Sequence, residues 1–169
     1  MEGNMPQGET SGPNNTKAEV KNIIDRLEAM LDEYMVKKAP FALPLELKEF
    51  IAKVSPYLII IFAVMALPFI FAAIGLSTIF VPFAVVGGYG YGYGLGTIIS
   101  LVVAVVVLVM ELMAVSGLFK RTKSAWRLVF YASIISFVGN ILSFNIIGGI
   151  IGAIIGWYIL FQVKELYKN

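Results

Sequence analysis

From Val54 to Phe119 the chain is apolar almost without interruption, and Glu111 is the one charged side chain in that stretch. A second uncharged run follows from Leu128 to Val163, after a short basic segment. Each run exceeds the ~20 apolar residues that a helix needs to cross a bilayer. A chain of 169 residues is too small to wrap both in a soluble core. The pattern predicts an all-α, polytopic integral membrane protein with four transmembrane helices in two antiparallel pairs.

The first expected span opens at Ser55-Pro56, a capping residue followed by proline at the first helical position, and stops at Gly75. Pro68 falls inside it and cannot donate to the Val64 carbonyl, which predicts a kink. Thr97 to Phe119 forms the second span. Ser124 is placed to cap a third reaching Leu142, and Asn145 to cap a fourth reaching Val163. The turn at Ser143-Phe144 is short enough to make the last two an antiparallel hairpin. Residues 55–163 thus read as a four-helix transmembrane domain, followed by a polar tail at 164–169.

Between the first two spans the apolar piece 77–86, with Pro82 inside it, is too short to cross and suits a half-helix. The run 87–96 alternates glycine with Tyr89, Tyr91 and Tyr93, which predicts a non-helical loop with its rings at the headgroup layer.

Ahead of the spans the pattern changes. Residues 1–15 are rich in Gly, Pro and Asn and predict a disordered tail. Thr16-Lys17-Ala18-Glu19 fits a capping box. Val20, Ile24, Leu27, Leu31 and Tyr34 then alternate in steps of four and three, and Pro40 ends the segment. Residues 16–38 are therefore expected to be an amphipathic, coiled-coil-like helix able to oligomerise the chain or dock a partner protein. In 41–54, Leu47, Phe50, Ile51 and Val54 share one face, as in an interfacial helix.

Charge orients this arrangement. With four spans, all 13 Lys and Arg fall on one side, in the N-terminal region, the 120–127 segment and the tail. By the positive-inside rule both termini are expected in the cytoplasm, the membrane being the cell (inner) membrane. A polar N-terminal region carries no secretory signal pattern, so the first span is expected to act as the insertion signal. The net charge of +2 gives no reason to expect nucleic acid. Composition agrees with a bilayer: 59% hydrophobic and 14% charged, against about 25% charged in soluble domains.

Candidate chemistry is sparse. There is no His and no Cys, which removes the commonest metal ligands, the usual general base and the thiol nucleophile. No phosphate loop or dinucleotide fingerprint occurs. No enzyme activity, cofactor or metal is expected. Glu111 lies roughly 12 Å inside the membrane from the end of its span. A carboxylate there is costly, so it is expected to be neutral, hydrogen-bonded or facing water. Counting the same depth along the third span reaches Ser133 and Ser136 as its partners. Gly148, Gly152 and Gly156 recur every fourth residue and predict a helix-packing surface, within the chain or against a second copy. Gly88, Tyr89 and Gly90 superficially resemble a potassium-channel filter, but the threonine of that pattern is missing. The favoured reading is a small non-enzymatic membrane scaffold or interaction protein that self-associates or anchors a partner. The alternative is an oligomeric channel or transporter component using Glu111 and a re-entrant-like 77–96 loop.

Overall fold

A computed structural model of the chain describes residues 13–86 and 91–168, in two units that divide after Ala39. The first unit is α1, Pro13–Asp32, continued by a π-helical turn over Glu33–Lys37. Residues 1–12 of the expected disordered tail lie outside the described residues, and 13–15 belong to α1. Thr16 is not a cap: the helix begins a turn earlier, at Pro13, whose missing amide and fixed φ suit a first helical position. Val20 and Tyr34 of the predicted seam are exposed, and Leu31 is buried. Beyond the helix, Lys38 bridges Glu33 at 2.7 Å and sits over the Tyr34 ring.

The second unit has four long helices: α2 Leu45–Val86, α3 Tyr91–Phe119, α4 Lys123–Leu142 and α5 Ile146–Gln162. A short 3-10 turn, Lys164–Leu166, closes the chain. Among the described residues there is no strand, and four helices are long and apolar enough to cross a membrane. The all-helical, membrane-spanning reading therefore stands.

The first half of the unit was divided wrongly by the sequence. From Leu45 on, the expected interfacial segment 41–54, first span and half-helix 77–86 are one helix of 42 residues, about 63 Å long. Gly75 does not stop it, because a mid-helix glycine costs only ~1 kcal/mol, whereas an unpaired amide in hydrocarbon costs several. Pro56, Pro68 and Pro82 are all accommodated inside it. The same argument corrects the glycine-tyrosine run: α3 starts at Tyr91, so residues 91–96 are helical rather than loop. Gly88, Tyr89 and Gly90 lie outside the described residues.

The remaining caps also shift. Thr122, not Ser124, caps α4, accepting from the Ala125 amide. Asn145 occupies the N-cap position of α5, but its side chain donates to Asn140 Oδ1 at 2.9 Å instead of capping.

Packing runs in series: α2 lies on α3, α3 on α4 and α4 on α5. The largest fully buried side chains, Trp126, Phe130, Phe161, Gln162 and Pro56, gather at the end where α2 and α4 begin and α3 and α5 finish. Trp126 stacks on Phe130, and both meet the Phe161 ring edge-on. Trp126 Nε1 donates to the Leu160 carbonyl at 2.9 Å, and Lys164 lies over the Trp126 and Phe161 rings. At this base α2 and the segment before it are tied to α5 and the tail. The Leu43 amide donates to Gln162 Oε1, Lys48 pairs with Glu165 at 2.8 Å, Ser55 meets the Tyr167 hydroxyl, and Tyr158 donates to the Phe41 carbonyl. At the opposite end Ser100 donates to Ser143, and Gly96 approaches the Ser143 backbone.

Candidate functional site

Two clefts lie between the helices of this unit. The larger, about 670 Å³, is walled by α2, α3 and α4. The smaller, about 260 Å³, is walled by α3, α4 and α5. Glu111, Ser136 and Asn140 line both, so the clefts meet at this polar group.

Helix geometry puts those residues there. On α3 the cleft-lining positions Thr97, Ser100, Ala104, Val107 and Glu111 are spaced three and four apart, which is one helix face. On α4, Ser133, Ser136 and Asn140 follow the same rule. Small side chains on these faces leave the space: Ala63, Ala66 and Ala73 of α2 line the larger cleft, and Gly148, Gly152 and Gly156 of α5 line the smaller. Phe62 and Phe69 add aromatic surface to the α2 wall.

The hydrogen bonds differ from those expected. Ser133 is not a partner of Glu111: its hydroxyl donates to the Phe130 carbonyl at 2.7 Å and accepts from Trp157 Nε1 at 2.9 Å. Ser136 shares both clefts with Glu111, yet makes no hydrogen bond to it. Asn140 donates to the Ser136 carbonyl and accepts from Asn145. Among the described residues nothing hydrogen-bonds or ion-pairs with the Glu111 carboxyl.

The glycine stripe is also reassigned. A side chain at Gly152 or Gly156 would meet nothing within 4 Å, and one at Gly148 would meet only Asn145, its own cap residue. The close approach of α5 to α4 is instead at Gly149, where a Cβ would lie 2.8 Å from Asn140 Cβ. A tight contact between α3 and α4 is at Gly139, whose Cβ would lie 2.6 Å from a Val103 methyl. Within one chain, then, Gly152 and Gly156 face the cleft rather than another backbone.

Sequence reasoning missed Asn140, Thr97 and Ser100. A signal existed: Asn140 is a carboxamide in an apolar span, one turn after Ser136, and Thr97 and Ser100 share the Glu111 face of α3. Among the described residues, no three His, Cys, Asp or Glu side chains come together as a metal site. No known protein family model, curated protein or solved structure matches this chain.

Proposed function

We propose that the protein is a non-enzymatic membrane interaction protein, a small scaffold that self-associates within the bilayer and presents residues 16–38 to a partner. Both termini then lie on the cytoplasmic side, where the 13 Lys and Arg of the N-terminal region, the α3–α4 turn and the tail gather. The observation that carries the reading is the cleft at Glu111. In a bilayer, a carboxyl and a hydroxyl with no partner among the described residues are costly when they face lipid. A second copy covers them at little cost. The α5 face bearing Gly152 and Gly156 is open, and two such faces can bring backbones into close contact. The pairing is isologous, with α5 packed on the partner's α5 beside the smaller cleft.

Native mass spectrometry of the full-length protein from detergent and from lipid nanodiscs tests this. Wild type is expected as a dimer. Gly152→Leu, which fills the open face without a clash inside the chain, is expected as a folded monomer. A monomeric wild type at micromolar concentration in both media would overturn the reading. A transport role is the second reading, favoured by the position of Glu111 at the junction of two clefts. It no longer draws on a re-entrant 77–86 piece, since those residues continue α2. Proton, sodium or potassium flux in liposomes that is lost in Glu111→Gln would replace the scaffold reading with it.

A further inference from the structure

We infer that the larger cleft is a binding site for an apolar organic cation, an amine or quaternary onium group carried on an aromatic or aliphatic body. The inference does not depend on self-association, because every lining residue comes from one chain.

Size sets the class. A volume of about 670 Å³ lies within the roughly 300–1,000 Å³ of pockets that hold small organic molecules. Lining chemistry sets the character. Glu111 is the one charged residue on the wall, with Lys, Arg and His absent from it. An anionic ligand would meet a carboxyl and no counter-charge, so phosphates, fatty acids and acidic lipids do not fit. The rest of the wall is mostly alanine, valine, leucine and phenylalanine, with Thr97, Ser100, Ser136 and Asn140 supplying the few polar atoms.

The same wall argues against a bare metal cation. Sodium, potassium or calcium gives up its hydration shell only to several oxygen ligands at once. Here Glu111 is the one carboxyl on the wall, and among the described residues no three His, Cys, Asp or Glu side chains come together as a metal site. An organic cation asks for less. Its charge is spread or shielded by carbon, its body gains from apolar contact, and aromatic faces attract it. Phe62 and Phe69 stand on the α2 wall for that purpose, facing the same space as Glu111. Such a ligand also resolves the oddity of the site: it supplies the positive partner that the spans of this chain do not.

Equilibrium dialysis of radiolabelled tetraphenylphosphonium against the full-length protein in lipid nanodiscs tests the inference. Tetraphenylborate, of nearly the same shape and opposite charge, is measured in parallel against protein-free nanodiscs. Saturable binding of the phosphonium and none of the borate is expected. Glu111→Gln, checked for native helicity, is expected to weaken phosphonium binding roughly tenfold or more, since an ionic partner is replaced by a neutral one. Ala66→Phe leaves the carboxyl in place and fills the cleft, and is expected to lower binding as well. Absence of saturable phosphonium binding to wild type would overturn the inference. So would equal binding of the borate, or unchanged affinity in both variants.

Discussion

At the scale of single residues, small side chains have two opposite uses in this bundle, and only the structure separates them. Gly139 is small because Val103 occupies the place of its side chain, whereas Gly75, Gly152 and Gly156 meet nothing within 4 Å. Gly139→Leu is accordingly expected to lower unfolding stability in detergent by about 2–3 kcal/mol, the cost of overpacking a tight contact. Gly75→Leu is expected to be neutral or slightly stabilising, because leucine favours the helix and no atom is in its way. Thermal or chemical unfolding followed by circular dichroism compares the two, and equal losses would contradict the assignment. The aromatic base gives a second expectation. Trp126→Phe keeps most of the apolar ring and removes the bond to the Leu160 carbonyl, for a loss of about 1 kcal/mol by the same measurement. Glu111 could be singled out in the sequence because one charge in a long apolar run has no other reading. Its environment could not. Ser133 gives its hydroxyl proton to the Phe130 carbonyl one turn back on its own helix and accepts from Trp157, a residue on another helix.

At the scale of elements, the second, third and fourth spans follow the apolar pattern closely, since Phe119, Leu142 and Gln162 are each followed by residues that leave hydrocarbon. The first does not. Gly75, Pro82 and the glycine-tyrosine run are turn signals in water, where a freed amide finds a solvent partner. In hydrocarbon it finds none, and helix persists through Gly75 and Pro82 and over residues 91–96. This is why α2 extends to Val86 and α3 begins at Tyr91. The distance between spin labels at Lys53 and Val86 measures the outcome. A continuous helix places them about 50 Å apart at 1.5 Å per residue. A break at Gly75 folds the second part back, and a distance well below that value would contradict the single helix. The length of α2 exceeds the ~30 Å hydrocarbon core, so tilt or projection beyond it follows.

At the scale of the whole molecule, the bundle combines a tight end with clefts between its spans. The tight end carries the tryptophan and phenylalanine cluster, the Lys48–Glu165 pair and the tethers from the start of α2 to the tail. The clefts between the spans meet at Glu111. The account makes the smaller cleft a seam between copies, sealed by α5 against α5. The natural absence of cysteine allows a direct test, because one introduced thiol is the only thiol present. Single cysteines are placed from Ile147 to Tyr158 in turn, and native membranes are oxidised and examined for disulfide-linked dimer. Cross-linking is expected to peak at Gly152 and Gly156 and to fall at Ile150 and Ile154, which lie away from that face. A flat profile, or maxima at Ile150 and Ile154, would contradict the account.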